Sequence, residues 1–184
     1  MTIHLGLENF EKVSEEVMYS KDSRIVRVNS SQVEQLVAMS EEAARRRIRI
    51  CAHSRCEDLL HEMIIVHAKG TYVRPHKHLG RAESFHVISG RADVVVFDAV
   101  GEIFDVIKMG DFASGDNFYY RLNINFFHCM LIYSDHLVFQ ETTMGPFDSS
   151  STVFAPWAPS GDDSGEVLRF LETTISKVQC FFQH

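Results

Sequence analysis

The spacing of apolar residues changes character along this chain. Residues 1–23 are acidic and only weakly periodic, which predicts a loosely ordered segment. Arg24 to Asn29 reads as a short strand. Ser31-Gln-Val-Glu34 has the pattern of a capping box. Val33, Leu36, Val37, Ala43 and Ala44 then form a helical stripe ending near Arg46. Beyond it the period shortens. Ile48 and Ile50 alternate with arginines, and Leu59 to His67 is an apolar run of strand length.

Seven further strand signals follow, separated by turns. They are Tyr72–His78, Ser84–Ser89, Ala92–Asp98, Ile103–Met109, Phe118–Leu122, His128–Ser134 and Leu137–Thr143. Many short strands at this spacing predict a sandwich or barrel. Gly145 to Asp163 holds three of the four prolines and the single tryptophan, and reads as an ordered wrapping loop. Asp163-Ser-Gly-Glu166 opens a final amphipathic helix carried by Leu168, Leu171, Ile175 and Val178. The expected organisation is an N-terminal extension with one helix (1–47), a β-barrel (48–147), and a wrapping loop and helix (148–184). There is no internal repeat or low-complexity tract.

A chain of 184 residues is long enough for one domain with a substantial core. No apolar run approaches the ~18 residues of a membrane-spanning helix. Met1 to Phe10 lacks a basic region followed by an apolar one, so it does not read as a signal peptide, and the expected compartment is the cytoplasm. Cys51, Cys56, Cys129 and Cys180 lack the paired spacing of a zinc ribbon and are expected to be reduced, buried thiols. The net charge of −7 argues against a nucleic-acid partner. Its distribution is uneven: nine basic and three acidic residues between Arg45 and Arg81 give +6, leaving −13 for the remainder. Such a segment suits an anionic small molecule, although Arg45 to Arg47 read equally well as a solvated face and helix C-terminal charge.

The candidate chemistry lies in Gly70-x5-His76-x-His78-x4-Glu83-x6-Gly90. On a strand His76 and His78 share a face. Two imidazoles and a carboxylate suit one divalent transition metal: Zn, Fe, Ni, Mn or Cu. An ion that prefers five or six ligands would keep open positions, able to polarise a carbonyl or hydroxyl or to acidify bound water. By the same parity His86 faces away from the site, while Phe85 and Val87 face inward.

With every fixed position filled, this stretch is similar to the first motif of the cupins. Tyr72-Val-Arg-Pro-His-Lys-His, Ser84-Phe-His-Val-Ile-Ser-Gly and Gly145-Pro-Phe … Phe154-Ala-Pro-Trp-Ala-Pro159 resemble more narrowly the WbuC-type cupins, over roughly Arg45 to Pro159. The resemblance implies a mainly β, double-stranded β-helix (jelly-roll) barrel with an N-terminal and a C-terminal helix. It also implies one metal held by three His and one Glu. The fourth ligand would come from a second motif, which here lacks the usual Pro-x-Gly. His128 is the better candidate because it begins an apolar strand, and His136, which follows Ser134-Asp135 in a turn signal, competes with it.

Arg49, His53, Tyr72 and Arg74, with Arg47, are candidates for meeting a substrate's phosphate or hydroxyls. Glu141 is a candidate general base if it points inward, and only a solvated carboxylate if it points outward. Tyr133 is a further candidate acid. The resemblance implies a role in surface-polysaccharide or nucleotide-sugar metabolism, with isomerase- or epimerase-like proton transfer on a sugar phosphate or nucleotide sugar. Fe(II)-dependent oxygen chemistry and a non-catalytic sugar-binding or regulatory module stand beside it. Strand edges that need covering suggest a homodimer.

Overall fold

A computed structural model describes residues 6–22, 24–123 and 125–183. Two sheets face one another. The larger contains β1 (Phe10–Lys12), β2 (Val17–Ser20), β3 (Arg47–Cys51), β4 (Leu60–Ala68), β6 (Glu83–Ser89), β9 (Tyr119–Leu122) and β11 (His136–Met144), in the order β1-β2-β3-β4-β11-β6-β9. The smaller contains β5 (His76–His78), β7 (Arg91–Phe97), β8 (Ile103–Gly110), β10 (Phe127–Ile132) and β12 (Thr152–Phe154), in the order β12-β5-β10-β7-β8. All pairings between these strands are antiparallel except β2 with β3. The result is the expected jelly-roll barrel, with α1 (Ser30–Glu42) before it and α2 (Ser164–Phe181) after it.

Alternation sorts each strand between an inner and an outer core. Met63, Ile65, Phe85, Val87 and Phe139 of the larger sheet meet Val94, Val96 and Met130 of the smaller inside the barrel. Their neighbours point outward. Ile48, Ile50, Val66 and Val138 pack beneath Leu36 of α1. Val95, Phe97, Phe127 and Leu131 pack beneath Ala155, Ala158 and Val178. Trp157 sits over Phe97 with ring centroids 5.0 Å apart and closes this outer layer.

Several expectations are corrected. The described part of residues 1–23 is not loose: β1 and β2 pair, and Phe10 and Met18 are buried against the α1 layer. Arg24 to Asn29 is not a strand. Arg24 turns back onto Asp22 through its backbone N–H and its guanidinium, and β2 already occupies the place beside β3. The capping box belongs to Asn29 and Gln32 rather than Ser31 and Glu34, and Gln32 is further held by the Gly6 carbonyl. α1 stops at Glu42 because Arg47 must already lie in β3. Leu168 faces solvent, and Phe170, Leu171 and Ile175 join Val178 on the packed face. Cys56 and Cys180 are exposed, while Cys51 and Cys129 are buried; all four are free.

The wrapping loop contributes more than cover. It folds into a 3-10 turn (Ser149–Ser151) and then β12, which pairs with β5. The sheets therefore take strands from all three expected segments. Among the described residues no helix is long and apolar enough to cross a membrane.

Candidate metal centre

β5 lies between β12 and β10, and His128 is the direct cross-strand partner of His76. An antiparallel pair places such side chains on one face within ~5.5 Å. The His76 and His128 rings are 4.6 Å apart, and the His76 and His78 rings 5.0 Å. After His78 the chain turns through Gly80, whose φ of 70° is easy only for glycine, and enters the opposite sheet at Glu83. The four residues between His78 and Glu83 thus carry the chain across the barrel. The carboxylate meets the imidazoles from the facing wall.

One potential ligand nitrogen from each of His76, His78 and His128 lies within 4.8 Å of the other two. Glu83 Oε1 is 2.7 Å from His128 Nε2, and Glu83 Oε2 is 3.3 Å from His78 Nε2. Each imidazole turns its other nitrogen outward. Nδ1 of His76 faces the Arg74 carbonyl at 2.9 Å, that of His128 the Phe126 carbonyl at 3.3 Å, and that of His78 the Thr152 hydroxyl at 3.1 Å. The two carbonyls can only accept, so they fix the tautomer that leaves Nε2 of His76 and His128 free to ligate, while the Thr152 hydroxyl orients the His78 ring. His128 Nε2 and Glu83 Oε1 are buried and, despite their proximity, aligned with no hydrogen-bond partner. Two close, misaligned donor atoms of this kind fit ligands directed at a common ion. The donor set of three neutral imidazoles and one carboxylate fits a divalent transition metal. The barrel that carries this donor set is a two-sheet jelly roll.

The electrostatics agree with this donor set. Burial, with the neighbouring His128, pushes His76 down to about 3, so it is neutral near pH 7, the form able to ligate. Burial alone would raise Glu83, but His128 and His78 hold it well below the carboxylate range. Burial likewise opposes a charged His128, yet Glu83 outweighs it and raises that imidazole. Glu83 is therefore ionised near neutral pH, the form of a carboxylate that ligates.

Beside these four residues opens a cavity of about 440 Å³. Strand register lays out the inward face of the larger sheet as rows, most of whose residues line this cavity. His61, Thr143 and Glu83 form the row at the metal ligands. Next come Tyr19, Cys51, Met63, Glu141, Phe85 and Tyr120. Then come Val17, Arg49, Ile65, Phe139 and Val87, and last Arg47, His67 and Leu137. Glu141 thus points inward, one row from Glu83, which resolves the alternative left open by its sequence position. Burial and the nearby Glu83 carboxylate raise it to about 7. A carboxyl with that affinity can take up and return a proton near neutral pH.

The other candidates divide. Arg49 and His53 line the cavity. His53 stacks on His61 at 4.0 Å and accepts from the Glu62 N–H through Nδ1. Tyr72, Arg74 and Tyr133 lie outside the lining. Tyr72 donates to the Pro159 carbonyl, and Arg74 sits over Phe154 and donates to the Ala155 carbonyl. Both side chains are committed to the wrapping loop; Arg74 serves the site through the carbonyl that orients His76. Tyr133 is 43% exposed and donates to Asp93 at 2.7 Å, so it has no place as a cavity acid. His136 is no ligand, since it pairs with Glu41 at 2.9 Å. His86 is exposed, and Phe85 and Val87 line the barrel, as their parity requires.

Sequence reasoning missed His61, His67 and Thr152. The two histidines share the parity of Met63 and Ile65, a signal present in the run Leu59–His67 but hidden by reading it as uniformly apolar. Thr152 carried no local signal, because β12 forms only by pairing with β5.

A sequence family described as a domain of unknown function (DUF6016) matches residues 28–109, which include His76, His78 and Glu83 but not His128. No curated protein matches. Solved structures with similarity include a protein from Shewanella oneidensis (TM-score 0.46, 12% identity over 53% of this chain and 63% of that one). They also include the capsular polysaccharide assembling protein CapF from Staphylococcus aureus (0.44, 17%, 53% and 27%). A third is oxalate decarboxylase from Bacillus subtilis (0.43, 22%, 53% and 24%). In each case the chain spans less than two thirds of the matched protein, and nothing about activity carries over at these identities.

Proposed function

We propose that this protein is a metal-dependent cupin enzyme that moves a proton between adjacent carbons of a small anionic sugar derivative, a sugar phosphate or nucleotide sugar. His76, His78, Glu83 and His128 would hold the metal. The observation that carries the reading is Glu141, an inward carboxyl raised to about 7 on the wall beside that donor set. The similarity of the motifs to WbuC-type cupins supports the choice of sugar.

When bound, a divalent metal supplies Lewis acidity to a carbonyl or hydroxyl, making a neighbouring C–H more acidic. Glu141, as carboxylate, takes that proton and as carboxylic acid returns it to the adjacent carbon. Met63, Ile65, Phe85 and Phe139 line the same space and limit water around the carboxyl. Arg49 lines the cavity and forms no hydrogen bond or ion pair among the described residues, leaving its charge available to an anionic substrate. A volume of about 440 Å³ lies within the common range of small-molecule pockets, roughly 300–1,000 Å³. Four strands, β1, β9, β12 and β8, end the sheets, and the reading includes a homodimer that covers an edge, checked by light scattering in solution.

The test is deuterium wash-in. Metal-loaded protein in D2O is screened with sugar phosphates and nucleotide sugars, and the carbon-bound protons are followed by NMR. Exchange at one carbon is expected, falling ~100- to 10,000-fold in E141Q while the metal is retained. Exchange as fast in E141Q as in the wild type removes Glu141 as the base. No exchange, together with oxygen consumption by the Fe(II)-loaded protein, replaces the reading with oxidation.

A further inference from the structure

The cavity has two chemically different ends, and only one contains the metal ligands. On β11 the row of Glu83 is marked by Thr143, the row of Arg49 by Phe139, and the row of His67 by Leu137. Four residues of strand separate the first two and six separate the first from the last, roughly 13 and 20 Å at ~3.3 Å per residue. Both ends line one cavity.

At the far end Arg47 and Arg49 project inward because Ile48 and Ile50 between them are buried in the outer core. Arg49 makes no hydrogen bond or ion pair among the described residues. Arg47 gives its Nε to Glu16 at 3.0 Å, and Arg45 pairs with the same carboxylate. Three guanidiniums against the Glu16 carboxylate leave a surplus of positive charge, which Glu141 in the neighbouring row offsets in part when ionised. Between these arginines and Leu137 lies His67, whose ring meets Phe139 edge-on at 5.3 Å. Its Nδ1 is buried without a hydrogen-bond partner, and no described residue bonds to either ring nitrogen. Burial and the two arginines hold His67 neutral, down to about 3. A buried imidazole left unpaired is unfavourable, and an apolar ring would fill the same place without that penalty. Its presence on the cavity wall points to a polar ligand.

We propose that Arg47, Arg49 and His67 form a second ligand subsite, remote from the metal ligands, that takes the phosphate monoester of the substrate. A phosphate monoester carries between one and two negative charges near pH 7 and several acceptor oxygens, matching the arginines' surplus positive charge and a neutral imidazole donor better than a single carboxylate does. Arginine forks suit such an oxyanion. The substrate is thereby one whose phosphate lies several bonds from the carbon that exchanges its proton. This inference rests on the proposed function for its substrate, while the subsite itself can be tested without turnover.

The experiment titrates the full-length protein with inorganic phosphate by calorimetry, in metal-loaded and chelator-treated forms, with acetate as the monoanion control. Saturable phosphate binding is expected, equal within about twofold in the two forms and stronger than acetate. R49Q should weaken it at least about tenfold, as expected for loss of a charge-assisted contact. H67F should weaken it severalfold, with thermal melting confirming that the variant is folded. Three results overturn the proposal: phosphate binding that vanishes on removing metal, affinity unchanged in R49Q, or no saturable binding. Binding that depends on Arg49 without deuterium exchange on any sugar would refute the reaction and keep the subsite. Exchange without Arg49-dependent phosphate binding would do the reverse.

Discussion

Replacing His67 with phenylalanine should change how stability depends on pH. His67 is buried among Arg47, Arg49 and Phe139, and burial followed by the arginine charges lowers it from 6.5 to about 3. At pH 8 the ring is neutral in folded and unfolded chains alike, so it adds no pH dependence there. Below 6.5 the unfolded chain binds a proton that the folded chain refuses until about pH 3. Stability is therefore lost as pH falls through that window, by ~1.4 kcal/mol per pH unit once well below 6.5. At pH 5 the loss relative to pH 8 is about 2 kcal/mol from this residue. His53, also lowered by burial, acts in the same direction in both proteins, so the wild type minus H67F difference isolates His67. The assay is urea unfolding of chelator-treated wild type and H67F at both pH values. H67F should lose about 2 kcal/mol less than the wild type on going to pH 5. Equal losses would refute the placement of a neutral imidazole in that wall.

Other outcomes follow from the same geometry. H128A should lose stoichiometric metal by elemental analysis, and saturating metal that stabilises the wild type by about 2.7 kcal/mol at a hundred times its Kd should leave the variant's melting unchanged. Y133F should leave deuterium exchange unchanged, since Tyr133 bonds Asp93 outside the cavity, and any slowing beyond about twofold would return it to the site. G90A should cost about 2 kcal/mol or more in urea unfolding, because Gly90 has φ 99° and a Cβ there would lie 2.3 Å from the His136 carbonyl oxygen.

What was readable in sequence depended on the range of the interaction that produced it. The barrel strands from Ile48 to Thr143 followed from alternation, a local property. Parity put His76 with His78 and sent His86 outward. The segment 10–20 was misread because its strands are short and gain their order from pairing with one another and with β3. Tyr72, Arg74 and Tyr133 carried suitable chemistry, but residues distant in sequence, Pro159, Ala155 and Asp93, decide where their polar groups go.

The sequence by itself determined a β-barrel, three candidate ligands in one short motif and the basic character of the strand that opens the barrel, because each is written in spacing or charge over a few residues. Only the tertiary structure chose His128 over His136, by pairing β10 with β5 and sending His136 to Glu41. Only the β11 register turned Glu141 inward and set His67 in the far wall. Those choices depend on which strands become neighbours and in what register, and burial between two sheets fixes both through contacts that no short stretch of chain contains.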